Sequence, residues 1–377
     1  MFIATNGPGD LLFVTWAPES NVEPLDKILK DGMQEITDFL HSNEAILLNE
    51  RIYGDAASLE AAVDIRRAIF RENGVSGEIY PTCIEGRPCR GSGVAGIHAI
   101  AVQPAESSTP ATLSWQDQQC GRLVKGRDAH YLALSDVGRL VRQVGRERPE
   151  EEARKTFEAV ESLLKQADWS FNEVRRTWFY LHNILDWYNE FNLVRNTAFK
   201  RLGLFNGNPL SAIPASTGIQ GRNADGGWCT LDLLAMRALN GRAFEAKRVV
   251  NPKQNEATEY GSAFARALTV KTDRCQYVFV SGTASIDEHG RSVHEGDFER
   301  QTIRTLENVE ALLDAAGAKM SDVCQATSFV KRPEDVDSYR AIAKRMGVEA
   351  LPAVCTLADV CRDELLYELD ATAVIPC

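Results

Sequence analysis

The chain has 377 residues, 44% apolar and 25% charged, which is enough for two or three domains with sizeable cores. A formal charge of −11 argues against a broad nucleic-acid surface, which needs clustered Lys and Arg to displace counterions. Nine cysteines without a Cys-x-x-Cys, only six histidines, no apolar run of membrane length and no basic-then-apolar leader imply a cytoplasmic protein with reduced thiols. Neither a metal site nor a nucleic-acid or membrane partner is expected.

In chain order, Leu11–Thr15 reads as a first strand, Asp26–His41 as a helix, Ala45–Tyr53 as a strand, Ala57–Phe70 as a helix and Val94–Val102 as a last strand. This fills residues 1–103. Residues 104–120, rich in Pro, Ser and Thr, read as a linker, and the charge-dense run Arg142–Arg154 as a solvated loop entering a helix. Residues 121–239 form a second unit, residues 240–258 a connector, and residues 259–377 a third unit. In that third unit Tyr277–Val280 is a strand ending in Ser281-Gly282-Thr283-Ala284. The helix Thr302–Ala316 follows, with Ile303, Leu306, Val309, Leu313 and Ala316 on one face and Gly317 as its stop. Then come a strand (Val323–Val330), a helix (Val336–Met346) and closing strands around Pro352 and Leu365–Val374. The order β-β-α-β-α-β-β predicts an α+β unit, a mixed sheet with two helices on one face.

The units echo one another. Thr305-Leu306-Glu307-Asn308-Val309-Glu310-Ala311-Leu312-Leu313 repeats as Thr156-Phe157-Glu158-Ala159-Val160-Glu161-Ser162-Leu163-Leu164. At the same offset Val323 falls on Val174, Phe329 on Tyr180 and Val330 on Leu181. Each copy places a proline before its late strands: Pro81-Thr82-Cys83, Pro214-Ala215-Ser216 and Pro352-Ala353-Val354. The bland alternative is that any α+β domain yields such echoes.

The third unit, from its Gly-Ser and Ser-Gly openings to its terminal Glu-bearing strand, resembles a complete subunit of the Rid (YjgF-type) family. That resemblance implies a chorismate-mutase-like Rid fold. Rid proteins are trimers with small-molecule clefts between subunits, so three copies in one chain imply an intramolecular pseudo-trimer, itself a monomer or a low-order homo-oligomer. Deaminating members carry an arginine two residues after the late-strand proline. Here those positions are Cys83, Ser216 and Val354, none able to grip a carboxylate in a bidentate way. The family's proton-handling glutamate falls on Glu368; copy two has Asp232 nearby in its strand, and copy one ends Gly93-Val94-Ala95-Gly96-Ile97-His98 without an acid.

A narrower likeness covers roughly Arg175 to the C-terminus. Cys361-Arg362-x-x-Leu365-Leu366-x-Glu368 is similar to the terminal signature of chorismatases, enzymes on a Rid-like fold. Asn251-Pro252-Lys253-Gln254, Glu259-Tyr260-Gly261, Phe264-Ala265-Arg266-Ala267, Ser281–Ile286, His294-x-Gly296-Asp297, Arg176-Thr177-Trp178 and Pro214-Ala215-x-Thr217-Gly218-Ile219 are similar in the same order. The loop Gly261-Ser262-Ala263-Phe264 is shorter than the family's, and Leu185–Asn192 is closer to generic Rid.

The resemblance implies a cofactor-free hydrolase or lyase acting on chorismate or a similar cyclic carboxylate, with Glu368 as proton donor and Cys361 steering the outcome. Arg266, Tyr260, Gly282, Thr283, Arg175, Arg176 and Arg195 are the candidate binding residues, in a cleft between copies two and three. Open alternatives are a paired or edge-exposed Glu368, a merely buried Cys361 and a solvated helix charge at Arg195. At the level of function they are a diverged imine or enamine deaminase, or a non-catalytic carboxylate-binding scaffold. Gly91-Ser92-Gly93-Val94-Ala95-Gly96 fits a dinucleotide pattern but lies in a late strand rather than opening a helix.

Overall fold

The structure is a computed structural model describing residues 1–18, 23–77, 79–89, 93–106, 108–142, 148–204, 213–223, 226–239 and 244–377, without the side chains of Asn6, Glu245, Glu259 and Tyr260. The dinucleotide-like run falls partly outside these residues, and its described end lies in a strand.

The first module contains β1 (Phe2–Asn6), β2 (Leu11–Trp16), α1 (Leu25–Ser42), β3 (Ile46–Gly54), α2 (Ala56–Glu72), β4 (Thr82–Glu85) and β5 (Val94–Val102). The second has β6 (Ala111–Trp115), β7 (Gln118–Lys125), β8 (Ala129–Leu134), α3 (Val137–Val141), α4 (Pro149–Gln166), β9 (Val174–Leu181), α5 (Ile184–Arg201), β10 (Ala215–Gln220), β11 (Arg222–Asn223) and β12 (Cys229–Ala238). The third has β13 (Glu245–Val249), β14 (Ala267–Lys271), β15 (Cys275–Ala284), α6 (Phe298–Ala315), β16 (Val323–Val330), α7 (Val336–Arg345), β17 (Ala353–Leu357) and β18 (Tyr367–Pro376). The stretch read as a linker thus includes β6 and the start of β7, and the connector includes β13.

Three six-stranded sheets result, with orders β1-β2-β5-β3-β4-β11, β6-β7-β8-β12-β9-β10 and β13-β14-β15-β18-β16-β17. In each, the last strand inserts antiparallel between the hairpin and the middle strand, while the late strand runs parallel to the middle one. β11, from the second module, extends the first module's sheet beyond β4.

Each closing pair carries a register shift at the same place, at Leu47/Asn49, Leu234/Ala235 and Val323/Gln325. A bulge is a fixed marker in a ladder, so it aligns the copies residue by residue. Asn49, Arg176 and Gln325 are equivalent, as are Asp232, Asp370 and His98. Thr230 and Gly96 stand where Glu368 does. The pairings Arg51↔Thr82, Trp178↔Thr217 and Thr327↔Val354 correct the proline-based alignment of Cys83, Ser216 and Val354, because the chain enters the late strand one residue differently in copies one and two.

The alternation of β18 shows how the modules use their two faces. Tyr367, Leu369, Ala371 and Ala373 pack in the core under α6 and α7, while Glu368 and Asp370 turn to the other face. The echoed helices α4 and α6 lie on such outer faces, burying Phe157, Val160, Leu163 and Leu164 in one copy and Leu306, Val309, Leu312 and Leu313 in the other. The inner faces of all three sheets meet in one shared core that includes Phe13, Tyr131 and Phe279. Polar side chains tie the modules across it. Tyr53 and Tyr180 join their hydroxyls at 2.8 Å, and Arg51 Nη2 donates to Gln325 Oε1 at 2.9 Å.

Candidate active site

A cavity of about 270 Å³ opens between the second and third modules, near the small end of ligand sites. α5 and β10 form one wall; the loop before β14, the end of β15 and the start of β18 form the other. Two features bring the walls together. Ser216 N donates to Ser281 Oγ at 2.7 Å, and Ser281 Oγ donates to Ala265 O at 2.5 Å. Asn196 on α5 then holds the loop before β14, accepting from Ala263 N at 3.0 Å and donating to Gly261 O.

Glu368 lies in this cavity with 4% of its surface exposed, and no hydrogen bond to its carboxyl is found among the described residues. Burial, with Asp370 adding to it, pushes the carboxyl up to about 8, against the opposing pull of Arg266 and Arg176. At neutral pH it is therefore mostly a carboxylic acid with a transferable proton. Gly282 makes room for it: a Cβ there would stand 2.2 Å from Glu368 Oε1.

The rest of the lining is cationic and amide-rich. Arg195 and Arg266 flank the Phe264 ring, their guanidinium carbons 5.1 and 5.3 Å from its centre. Arg266 Nε is anchored on Asn255 O at 3.0 Å, and Arg195 Nη2 on Asn192 Oδ1 at 2.5 Å. Arg195 Nε has no protein partner among the described residues. Arg362, braced by Gly290 O and Ser292 Oγ at 3.0 and 3.2 Å, adds a third guanidinium. Three fixed cations around one neutral acid suit a multiply anionic ligand. Cys361 also lines the cavity; burial and Glu368 push its thiol up to about 12, so it stands as a neutral SH group beside the acid.

Of the residues expected from sequence, Glu368, Cys361, Arg266, Gly282 and Arg195 come together here. Three others do not. Arg175 is the bulged residue of β9, skipped by the ladder, and its Nη1 donates to Asn172 O at 2.8 Å. Arg176 points to the central core and pairs with Asp370 at 2.9 Å. Thr283 alternates away from Gly282 and donates to Ser281 O at 2.9 Å. The side chain of Tyr260 lies outside the described residues.

Tyr188, Asn192, Ser216, Ser262, Phe264 and Arg362 also line the cavity, although none was a candidate site residue and Ser216, Phe264 and Arg362 entered only as motif positions. One signal for them existed. Tyr188, Asn192 and Arg195 fall at i, i+4 and i+7, a polar row on one face of α5. Among the described residues no group of three or more His, Cys, Asp or Glu could hold a metal ion, and no helix is long and apolar enough to cross a membrane.

Repeated α+β modules around a shared core, with a buried acid in an inter-module cleft, define a trimer-like fold. Sequence comparison agrees. The Endoribonuclease L-PSP family matches residues 262–375. A RutC family protein of Pyrococcus abyssi is 31% identical over 98 residues, 26% of this chain and 77% of that protein. The chain belongs to this Rid (YjgF/RutC) family.

Longer matches link it to two Streptomyces hygroscopicus proteins. One, 3-hydroxybenzoate synthase, is 29% identical over 59% of this chain and 69% of its own. The other, a chorismatase, is 31% identical over 52% of this chain, which spans 60% of that relative's length. A crystal structure of chorismatase superposes with a TM-score of 0.65 at 19% identity, covering 99% of each chain, and establishes the whole-chain fold.

Proposed function

We propose that the cleft between the second and third modules hydrolyses the enol-ether side chain of chorismate or a similar cyclic dicarboxylate. The products are pyruvate and a hydroxybenzoate or dihydroxy acid. The observation that carries this reading is the buried Glu368, its carboxyl pushed up by burial, facing a cavity ringed by Arg195, Arg266 and Arg362. The names of the two Streptomyces relatives point the same way.

Cleaving an enol ether begins with a proton delivered to its terminal carbon, which leaves an oxocarbenium ion. Glu368 supplies that proton as a general acid. The carboxylate it becomes is stabilised by the Arg266 and Arg176 charges, and it can take a proton back from the water or hydroxyl that captures the cation. The guanidiniums hold the substrate carboxylates and so aim the alkene at the acid. Cys361, a neutral thiol, directs which nucleophile captures the cation rather than attacking itself.

Incubating the purified protein with chorismate and assaying pyruvate tests the reading, and release of pyruvate is expected. Consumption of 2-iminobutyrate without pyruvate from chorismate would replace it with a deaminase. Chorismate binding without turnover would replace it with a carboxylate-binding scaffold. Cys361→Ala should change the ratio of aromatic to dihydroxy product, read by chromatography, more than the rate of pyruvate release.

A further inference from the structure

Beneath Glu368 lies a polar assembly of Asp370, Arg176 and Thr217, whose side chains do not line the cavity. Asp370 sits two residues along β18 on the same face, roughly 7 Å away at strand spacing. Its Oδ2 accepts from Arg176 Nη2 at 2.9 Å and from Thr217 Oγ1 at 2.7 Å, and its Oδ1 from Thr327 N at 3.2 Å. Arg176 Nη2 also reaches Thr217 Oγ1 at 2.6 Å, and Gly282 N donates to that same hydroxyl at 3.2 Å. The Arg176–Asp370 pair is nearly solvent-free, with side chains 1% and 5% exposed. A pair so desolvated is expensive to build and is weak evidence for stability. This one joins the second module to the third directly behind the acid.

We propose that Arg176 and Asp370 are positioning residues for Glu368. Asp370, held against Arg176 and fixed by donors from both modules, is a second acidic side chain behind Glu368 that favours the proton on its neighbour. The proposal rests on the reading of Glu368 as proton donor. The other ionisable or charged groups facing Glu368 are Arg266 before β14, Cys361 and Arg362 before β18, and Tyr188 and Arg195 on α5. Across the sheet its partners are Phe329 on β16 and Ala284 on β15, which carry no charge. Of these groups, Asp370 adds most to the burial that raises Glu368, and the guanidiniums oppose it.

The test is a direct titration of Glu368 in the full chain without substrate. The infrared C=O stretch of its protonated carboxyl is followed against pH and assigned by its loss in Glu368→Gln. In Asp370→Asn the midpoint should fall by about one pH unit, and the alkaline limb of the pyruvate-release profile should fall with it. Because Asp370→Asn leaves Arg176 unpaired, a second variant, Arg176→Gln with Asp370→Asn, removes both charges. Its midpoint should also fall, but by less, since an opposing cation is lost too. An unmoved or raised midpoint in either folded variant overturns the proposal, and loss of folding in both assigns the pair to structure alone and overturns it too. A lowered midpoint in a protein that releases no pyruvate supports the pairing while removing the chorismate reading.

Discussion

The cleft between the second and third modules and the cleft between the first and second are assembled from equivalent positions. In the open cleft these are Arg176, Thr217, Asp370, Glu368 and Gly282; in the other they are Asn49, Thr82, Asp232, Thr230 and Asp136. The Thr–Asp contact is kept, with Thr82 Oγ1 donating to Asp232 Oδ1 at 2.6 Å and Thr217 Oγ1 to Asp370 Oδ2 at 2.7 Å. The rest has changed. Asn49 reaches Asp232 only at 3.3 Å where Arg176 makes an ion pair, and Thr230 donates to Asp136 Oδ1 at 2.6 Å where Glu368 faces the cavity. Asp136 leads directly into α3, which lies so close to β12 that a Cβ on Gly138 would be 1.9 Å from Cys229 O.

At the equivalent place between the first and third modules the walls meet closely: a Cβ on Gly96 would stand 2.6 Å from Val354. Between the first two clefts the ladder positions match and the side chains differ: Glu368 for Thr230, Arg176 for Asn49 and Gly282 for Asp136.

The comparison breaks most directly at Glu368. Glu368→Gln keeps the shape but removes the transferable proton, so turnover should drop on the order of 10²–10⁴. Its pH signature has a definite sign. Between 4.5 and about 8 the folded protein holds a proton that the unfolded chain has released. Stability therefore declines as pH rises through that window, with the penalty full above it. Glu368→Gln should flatten this decline, read as a melting-temperature advantage over wild type that grows from pH 5 to about 8.

Gly282→Ala takes the open cleft one step toward the sealed one between the first and second modules. The new methyl must push Glu368 aside, and a misplacement of about 1 Å costs on the order of 10² in rate. Near-normal turnover with an unmoved Glu368 would show that the acid has room to spare. Thr230→Val, in the sealed cleft, should leave turnover unchanged and cost about 1 kcal/mol of stability from one lost hydrogen bond, measured by denaturant unfolding. A fall in turnover instead would mean that the sealed cleft also contributes to catalysis.

The elements followed their patterns closely. Val323–Val330 is β16 as the apolar run implied; of the 3.6-residue row, Leu306, Val309 and Leu313 are buried on α6, while Ile303 is half-buried and Ala316 is the residue that ends the helix. Edge strands β1, β6 and β13 were not legible, because short edge segments lack a two-sided apolar signal and lie in stretches rich in turn formers. In the site, Glu368 and Cys361 could be read from one contiguous string. Arg175 and Arg176 could not be placed, since a bulge decides which of two adjacent arginines faces the core. Bulges leave no mark in composition or spacing. Asp370 escaped notice for a similar reason: its importance lies in a partner 194 positions away in the chain.

The asymmetry of the walls has a consequence for dilution. The acid comes from β18 and one of its facing cations from α5, elements that in separate subunits would meet only by association. Here the segment from β10 to β14 tethers them, so the two half-sites meet at an effective concentration set by the chain rather than by the solution. On the proposed reading, turnover per molecule should not depend on protein concentration, down to levels at which an assembly of single-module subunits would come apart.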